Sequence, residues 1–394
     1  MTPLRLSALT ATTALGAGLA AQLEALQAAR SGLSQRRFED CTLDSWIGEV
    51  DGLDAPLRGE WAMWDCRVNR LAARALDQDG FRAAVAAAVE RHGAERIGVF
   101  IGTSTSGTLA TEHAYQQRHA SGALPAGYSY RHTHNPHAVA EFAQLQLGLR
   151  NVAVAICTAC SSSAKVFAAA SRAIEARVCD AAVVGGADSL CFTTLYGFNA
   201  LQLVSSDVCR PADAKRKGIS VGEGAGYALL EREPRGGELA LLGYGESSDA
   251  YHMSTPDPQG RGAALAMRAA LQRAGLAPSA IDYVNLHGTA TPANDAAEDR
   301  GVSEVFGSLN GPWCSSTKGF TGHTLGAAGI VEAAFSCLAI EHGFVPPSLN
   351  TQELDPALRA RYALAPQTLD VRYALSNSFG FGGNNACLIF GRAA

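Results

Sequence analysis

The sequence lacks a dominant charge of either sign, a long apolar run and any low-complexity segment. Its 32 basic and 37 acidic residues leave a net charge of −5, which argues against an overall basic field for binding nucleic acid. No run of about 18 apolar residues is present, which argues against a membrane span. However, 47% of the residues are hydrophobic, too many for a disordered chain. The composition predicts a soluble, enzyme-sized globular protein.

Cysteine is present but too sparse for a disulfide scaffold. Ten cysteines are scattered through apolar segments of a chain of 394 residues, whereas disulfide-dense proteins are short. This distribution predicts free thiols in a reducing compartment, and we expect the cytoplasm.

The N-terminus permits two interpretations. Arg5 precedes an apolar stretch, residues 6–21, that resembles a secretory signal. The alternative is a short strand, a glycine turn and a helix that begins near Leu19. The threonines of this stretch suit a strand better than the core of a signal, so we favour the second interpretation.

A charged segment rich in proline and glycine, residues 231–237, divides the chain into two parts of similar size. Each part contains strand-like runs followed by turns of small residues and helical patterns. This alternation predicts a layered α/β architecture, with helices of small residues packed close to sheets. We predict two related halves, residues 1–233 and 234–394.

Cys160 is the sharpest local feature, in the segment Cys157-Thr-Ala-Cys160-Ser-Ser-Ser. It lies between a strand-like run and a helical pattern, where backbone N–H groups and the helix dipole lower a thiol pKa and can hold an oxyanion. Three interpretations stay open from these residues: a nucleophile, a buried structural cysteine, or a redox pair with Cys157. The redox pair is disfavoured, because it needs an exposed first cysteine and Cys157 ends an apolar strand.

Two histidines strengthen the catalytic interpretation. His287 follows a strand-like run, and His323 lies in a glycine-rich turn before a helix of small residues. Active sites of α/β proteins gather at such strand ends. We therefore group both histidines with Cys160.

Five motifs occur in order along the chain: Thr-Ala-Cys160-Ser-Ser, Gly222-Glu-Gly-Ala-Gly226, His287-Gly-Thr-Ala-Thr-Pro292, Lys318-Gly-x-x-Gly-His323-Thr-x-Gly-Ala-Ala-Gly329 and Asn377-Ser-Phe-Gly-Phe-Gly-Gly383. Together they resemble the β-ketoacyl-acyl carrier protein synthases of the elongating, decarboxylating type, which have a Cys-His-His triad. The resemblance covers nearly all of the chain after about residue 95. Before that point it is looser, because residues 8–12 replace the glycine-rich first strand of the family.

The resemblance implies a thiolase-like fold, in which two related halves form a five-layered α-β-α-β-α sandwich. It implies a decarboxylative Claisen condensation, in which an enzyme-bound acyl group and malonyl-acyl carrier protein give β-ketoacyl-acyl carrier protein. The substrates would arrive on the phosphopantetheine of acyl carrier protein, with no bound cofactor and no metal. The implied assembly is a homodimer or a heterodimer with a paralogous ketosynthase-like subunit.

The resemblance also assigns roles to individual residues. Cys160 matches the acyl-accepting nucleophile, and His287 and His323 match the pair that binds the malonyl thioester carbonyl. Two neutral imidazoles can donate Nε2–H to the enolate left by loss of CO2. The remaining matches are the supporting ion pair Lys318 and Glu332, the phosphopantetheine-binding Thr289 and Thr291, and the gate residue Phe381 with Gly382 beside it. The backbone N–H of Phe381 would share the oxyanion hole with that of Cys160.

Three departures from the family pattern spare the triad. Ala212 replaces a large residue, Asn384 replaces threonine, and the turn of residues 103–106 carries hydroxyls where the acyl tunnel usually has glycine or isoleucine. We expect Thr105 of this turn to contact the acyl chain. The product is then either a fatty acid or a more polar or unsaturated chain, as in aryl polyene or polyketide pathways.

Two basic clusters stand out on this net-acidic chain. A solvated surface is the ordinary explanation of such clusters. Because acyl carrier proteins are acidic, we predict instead that both clusters dock the carrier protein. Their members are Arg67, Arg70 and Arg74, on one helical face, and Arg210, Lys215 and Lys217 further along the chain.

Three weaker alternatives complete the predictions. The histidines of residues 131–137 have a spacing that suggests a metal site, but we interpret this segment as a polar loop near the acyl tunnel. A thiolase shares the fold and uses a second cysteine as base, for which Cys387 is the candidate, although it lies in a strand-like run. A non-catalytic subunit of the chain-length-factor kind usually lacks the nucleophile, so Cys160 argues against that function.

Overall fold

A computed structural model describes residues 1–393 of the chain. Within this range the strands are β1 Leu4–Thr13, β2 Gly16–Ala17, β3 Ile47–Gly48, β4 Ile97–Gly102, β5 Ala153–Ile156, β6 Ala181–Asp188, β7 Val221–Gly222, β8 Gly224–Arg232, β9 Leu239–Ser248, β10 Tyr283–Asn285, β11 Trp313–Ser315, β12 Phe344–Val345, β13 Arg361–Tyr362, β14 Gln367–Thr368, β15 Tyr373–Gly380 and β16 Asn384–Arg392. The α-helices are α1 Leu19–Gln27, α2 Arg67–Leu76, α3 Phe81–His92, α4 Thr108–Gln116, α5 Ala138–Gln146, α6 Ser162–Glu175, α7 Phe192–Ala200, α8 Arg261–Ala274, α9 Pro292–Phe306, α10 Lys318–Thr321 and α11 Ala328–His342.

Most strands join one long sheet with the order β13-β11-β10-β15-β16-β9-β1-β8-β6-β4-β5. β1 pairs with β8 along its whole length but meets β9 through only two residue pairs, Leu4 with Leu241 and Arg5 with Ala240. This short contact is a corner at which the N-terminal strands join the C-terminal strands. The N-terminal stretch therefore forms the predicted strand, turn and helix, with β1 inside the sheet.

Helices fill the space between the two parts of the sheet and cover their outer faces. α6 and α11 pack together in the middle and share a core with strands from both parts, through residues such as Phe167 and Ile330. α2, α3 and α5 cover the outer face of the N-terminal strands, and α8 and α9 cover that of the C-terminal strands. The predicted five-layered α-β-α-β-α sandwich is confirmed.

The middle layer explains one apolar segment of the sequence. Leu325–His342 is apolar enough to cross a membrane by length and composition, but 89% of it is buried inside the protein. Its small residues permit close packing, since a Cβ on Gly329 would lie 2.4 Å from the backbone nitrogen of Ala164 in α6. This segment is a core helix, and it places the residues before it next to the start of α6.

The predicted seam, residues 231–237, covers the last two residues of β8 and most of the loop before β9. Strands from both sides of this loop continue one sheet, and α11 of the second half packs on α6 of the first. The division into residues 1–233 and 234–394 stays a prediction.

All ten cysteines are free thiols. Nine are buried, whereas Cys157 is exposed. The expectation that Cys157 is buried is wrong, because β5, which precedes it, is the edge strand of the sheet and is only half-buried.

Candidate active site

Cys160 lies on the turn that joins β5 to α6. The preceding Ala159 has a φ of 51°, a left-handed conformation that a non-glycine residue adopts at an energetic cost. The turn is held by hydrogen bonds from the Thr158 N–H to Ser162 Oγ and from Ser161 Oγ to the Thr158 carbonyl, both 2.9 Å long. Cys160 is thus placed two residues before α6 begins at Ser162, near the start of a helix as predicted.

The two histidines come from the other half of the chain and meet Cys160 at this turn. His323 Nε2 lies 2.8 Å from Cys160 Sγ, and the two imidazole rings are nearly perpendicular with centroids 5.3 Å apart. The sulfur and one nitrogen of each histidine all lie within 4.8 Å of one another. The structure therefore brings the three predicted catalytic residues together in one buried group.

Burial sets the protonation states of this group. It raises the pKa of the Cys160 thiol to about 12, although the Lys318 ammonium and the backbone N–H of Phe381 oppose the shift. The expected low thiol pKa is therefore wrong for the free protein. Burial, assisted by Lys318, also holds the pKa of His287 and His323 well below its usual value. A protonated thiol thus faces a neutral imidazole that can accept its proton.

Lys318 connects the histidines to a buried carboxylate. Its Nζ donates to the Glu332 carboxylate and to the His287 carbonyl, and it lies 3.4 Å from His287 Nδ1. Because an ammonium can only donate, His287 Nδ1 is the acceptor and the imidazole proton sits on Nε2. Burial raises the pKa of Glu332 to about 7 against the pull of Lys318. The predicted Lys318–Glu332 pair is present, and it fixes the tautomer that donates into the site.

Glu298 is a residue of this site that the sequence reasoning misses. Its carboxylate accepts the backbone N–H groups of His287 and Gly288, each at 2.8 Å, and the side-chain amide of Asn377 at 3.1 Å. Burial raises its pKa to about 7. One feature of the sequence could have indicated this contact. Glu298 is an acidic residue on the helix that begins immediately after the His287 turn.

A pocket leads from Cys160 towards the surface. Thr289 and Thr291 line it, with their hydroxyl oxygens 2.9 Å apart. Thr291 also caps α9 by accepting the Asn294 N–H. Phe198 and Phe381 form another part of the wall and pack edge to face at 5.8 Å. The pocket thus offers paired hydroxyls along its length and aromatic groups near the sulfur.

Phe381 belongs to the glycine turn, residues 380–384, between β15 and β16. Gly382 and Gly383 have φ values of 81° and 72°, which glycine adopts without steric cost. The N–H of Gly382 donates to the Met253 carbonyl at 2.7 Å. In this conformation the backbone N–H of Phe381 lies close enough to Cys160 to lower the pKa of its thiol, against the larger effect of burial. The turn therefore presents an amide donor where an oxyanion would develop.

Comparison with known proteins agrees with this geometry. Residues 68–235 match the family described as beta-ketoacyl synthase, N-terminal domain, and residues 239–352 match the corresponding C-terminal domain. The chain belongs to the β-ketoacyl synthase family. The predicted family and its thiolase-like fold are confirmed.

Two relatives and two solved structures show how widely this similarity extends. The 3-oxoacyl-[acyl-carrier-protein] synthase 2 of Staphylococcus aureus (strain COL) is 34% identical over 318 residues, 77% of this chain and 76% of that protein. The mitochondrial 3-oxoacyl-[acyl-carrier-protein] synthase of Arabidopsis thaliana is 42% identical over 62% of this chain and 58% of that protein. A ketosynthase (ApeO) in complex with its chain length factor (ApeC), from Xenorhabdus doucetiae, has a TM-score of 0.90 at 36% identity and covers 100% of this chain and 98% of that one. The ishigamide ketosynthase/chain length factor has a TM-score of 0.89 at 28% identity, with full coverage of both chains.

The hydroxyl groups of the turn at residues 103–106 donate to a buried carboxylate of this ketosynthase. Thr105 Oγ1 donates to the Asp188 carboxylate at 2.8 Å, and Ser104 Oγ donates to it at 2.6 Å. Thr103 donates to the same carboxylate. The protons of these hydroxyls are therefore bound to Asp188 and are not free to solvate an acyl chain. The contact between Thr105 and the acyl chain stays a prediction. Another part of Thr105 than its hydroxyl proton would have to make this contact, because the proton is donated to Asp188.

The basic side chains of the first cluster are paired within this ketosynthase. Arg67 is only 13% exposed in its side chain and pairs through two nitrogens with the buried Glu223, at 2.8 and 2.6 Å. Arg70 pairs in the same way with Asp65. Arg74 donates to a backbone carbonyl. These guanidinium groups contact other parts of the chain, and the docking of the carrier protein at Arg67, Arg70 and Arg74 stays a prediction.

The second basic cluster lies beside the pocket. The side chains of Lys215 and Lys217 are 74% and 63% exposed, and Ile219, two residues further on, lines the pocket. Lys217 lies 2.9 Å and Arg210 lies 3.6 Å from the Asp207 carboxylate. Lys215 and Lys217 therefore keep exposed positive charge in the segment that leads to a pocket-lining residue.

The remaining candidates of the sequence have ordinary partners. His132 Nδ1 bonds to the Ser129 hydroxyl and His134 Nδ1 to the Thr111 hydroxyl, at 2.7 and 2.6 Å. Cys387 is buried in β16 and its Sγ donates to an asparagine, so its environment is that of a core residue. The triad itself has the spacing of a metal site, but the Lys318 ammonium beside His287 disfavours a second cation there.

Proposed function

We propose that this ketosynthase catalyses decarboxylative condensation of an acyl group on Cys160 with malonyl-acyl carrier protein. The observation that carries the proposal is the buried group of one thiol and two neutral histidines, with the backbone N–H of Phe381 close to the thiol. Its donors and its base match the needs of acyl transfer followed by enolate formation.

Acyl transfer comes first. His323 Nε2 accepts the thiol proton as Cys160 Sγ attacks the thioester carbonyl, and the developing oxyanion meets the N–H of Phe381. When the tetrahedral intermediate collapses, the carrier thiol leaves with that proton. Cys160 then holds the acyl group as a thioester, and both histidines are neutral again.

Condensation follows at the same place. Loss of CO2 from the malonyl group leaves an enolate, whose oxygen accepts a hydrogen bond from Nε2–H of His287. His323 donates a second one from Nε2–H, after solvent in the pocket has taken up its Nδ1 proton and returned a proton to Nε2. The enolate carbon attacks the acyl carbonyl, a carbon–carbon bond forms and the Cys160–acyl bond breaks. The released Cys160 thiolate takes up one proton and restores the starting state, and β-ketoacyl-acyl carrier protein leaves.

The proposed partners are an acyl carrier protein and a paralogous subunit. Solved complexes of similar ketosynthases with chain length factors favour a heterodimer, with a homodimer as the alternative. The carrier docks at Lys215, Lys217 and Arg210 and places its phosphopantetheine arm along Thr289 and Thr291. The pathway is polyene or polyketide synthesis, with fatty acid synthesis as the alternative. The compartment is the reducing cytoplasm, in keeping with ten free thiols.

The test is reconstitution with purified acyl- and malonyl-carrier proteins, alone and with a co-expressed paralogous subunit. We expect β-ketoacyl-carrier protein by mass spectrometry together with one CO2 per product. A Cys160→Ala variant is the negative control. Condensation of two acetyl-CoA molecules without CO2 release would assign a thiolase instead, and absence of acylation with every carrier-bound chain would refute the enzyme assignment.

A further inference from the structure

Lys165 is a partly buried cation on α6, one turn beyond the nucleophile. Its side chain is 14% exposed, and its Nζ donates to Asn384 Oδ1 at 3.4 Å. The Glu246 carboxylate lies 3.9 Å away. Burial lowers the pKa of this ammonium, and Glu246 opposes the shift. A charge held in such a position costs solvation energy, and the acyl-transfer and condensation steps do not use it.

The partner of Lys165 belongs to the glycine turn of Phe381. Asn384 ends this turn and begins β16, and it stands where the family pattern usually has threonine. On its outer side the turn is held by a loop of its own half, through Gly382 N–H to Met253 and Asp249 N–H to Gly383. Lys165 contacts this turn from the other half of the chain. It belongs to α6, the helix that begins just after Cys160.

The contact between Lys165 and Asn384 connects the helix that follows Cys160 to the turn that carries the Phe381 amide. In the proposed acyl transfer, Cys160 and this amide act on the same thioester carbonyl. Gly380 already lies against the nucleophile turn, since a Cβ there would be 2.4 Å from the Thr158 carbonyl oxygen. The amide of Phe381 is useful only while it points to the place where the oxyanion develops, at the thioester carbonyl that Cys160 Sγ attacks. We propose that Lys165 is a positioning residue, which holds the glycine turn through Asn384 so that the Phe381 amide stays aligned with Cys160. The inference rests on the proposed function, because it concerns the acyl-transfer step.

The test measures acylation of Cys160 under single-turnover conditions with a hexanoyl-pantetheine thioester, which avoids carrier docking. Lys165→Met and Asn384→Thr should each slow acylation by about threefold to tenfold, since a displaced donor loses part of an effect worth about a hundredfold or more. The double variant should be no slower than the slower single variant, because one contact is removed in all three. Arg172→Met is the matched control: Arg172 shares Glu246 with Lys165 on the same helix, and its loss should leave acylation unchanged.

A second measurement separates positioning from general damage. In a Cys160→Gln background, malonyl-thioester decarboxylation depends on the histidines, and Lys165→Met should leave it unchanged. Unchanged acylation in Lys165→Met, multiplied losses in the double variant, or equal loss of decarboxylation would each overturn the inference. Failure of the wild-type protein to become acylated would instead refute the proposed function, so the two failures are distinguishable.

Discussion

His323 Nε2 lies 2.8 Å from Cys160 Sγ, although the two residues come from different halves of the chain. The contact pairs a thiol whose pKa burial raises to about 12 with an imidazole whose pKa burial lowers. A resting thiolate–imidazolium pair is therefore disfavoured, and the thiol loses its proton only as it attacks. Burial thus keeps the thiol protonated until a thioester carbonyl is in place for attack.

Cys160→Ala should abolish covalent acylation, because no other thiol faces a histidine at this turn within residues 1–393. Intact-protein mass after incubation with an acyl-carrier thioester measures the result. Cys157→Ala is the matched control, since Cys157 is the exposed cysteine three residues earlier, and it should be acylated like the wild type. Acylation that persists in Cys160→Ala and disappears in Cys157→Ala would reverse the assignment.

His287→Ala and His323→Ala should both still accept an acyl group but lose most malonyl decarboxylation. Each loses one donor to the enolate oxygen, and loss of such a donor costs about a hundredfold to a thousandfold. His323→Ala should also be acylated more slowly than His287→Ala, because only His323 contacts the sulfur. The measurements are the rate of CO2 release and the rate of mass increase. Normal decarboxylation with failed acylation in both variants would contradict these roles.

The pH dependence of acylation follows from the low histidine pKa values. His323 must be neutral to accept the thiol proton, and burial holds its pKa well below the usual value. The base form therefore persists as pH falls, and we expect a flat acylation rate between about pH 6 and pH 7.5. A small acyl-pantetheine thioester removes carrier docking from the measurement. A drop centred near pH 6.5 that persists in Glu332→Gln and in Glu298→Gln would show that His323 titrates like an exposed histidine. These variants each remove a carboxyl whose pKa burial raises to about 7.

The sequence predicts the reacting groups well because they stand in contiguous motifs. Cys160 and His323 lie in turns of small residues, and His287 directly follows a strand-like run and begins such a turn. Their local placement is therefore readable from the sequence. The ion pair of Lys318 and Glu332 comes from the resemblance to the family, and the structure shows both partners in contact.

Other features depend on contacts between distant segments and were not readable. Arg67, Arg70 and Arg74 have the spacing of a solvated helical face, but the partner of Arg67, Glu223, lies 156 residues away in sequence. Exposure of Cys157 follows from the position of β5 at the sheet edge, and strand order is a property of the whole fold. In sequence, Glu298 and Lys165 are likewise ordinary helical residues. Only the fold places Glu298 beside the His287 turn and Lys165 beside the glycine turn.

Lys318→Met should destabilise the fold and impair decarboxylation. Removing one partner of a buried ion pair costs about 3–5 kcal/mol, here by leaving the Glu332 carboxylate unpaired. Urea denaturation measures the free energy of unfolding, and CO2 release measures the chemistry. The double variant Lys318→Met, Glu332→Leu should regain much of the stability but not the decarboxylation, because no ammonium then faces His287 Nδ1. Recovery of both properties would confine Lys318 to a structural role.

The exposed cluster beside the pocket predicts how the carrier protein binds. Reversal of charge in Lys217→Glu, alone or with Lys215→Glu, should raise the Michaelis constant for carrier-bound substrate by about threefold to tenfold at low salt, because rim charges govern association more than turnover. The effect should shrink as salt rises, since charges are screened over about 8 Å at physiological ionic strength. Turnover of an acyl-pantetheine thioester without the carrier should stay unchanged. Arg235→Glu, an exposed change in the loop between β8 and β9, is the control for net charge and should have little effect with either substrate. Equal losses with both substrates would mean that these lysines support the fold, and the carrier would then have to dock at another surface.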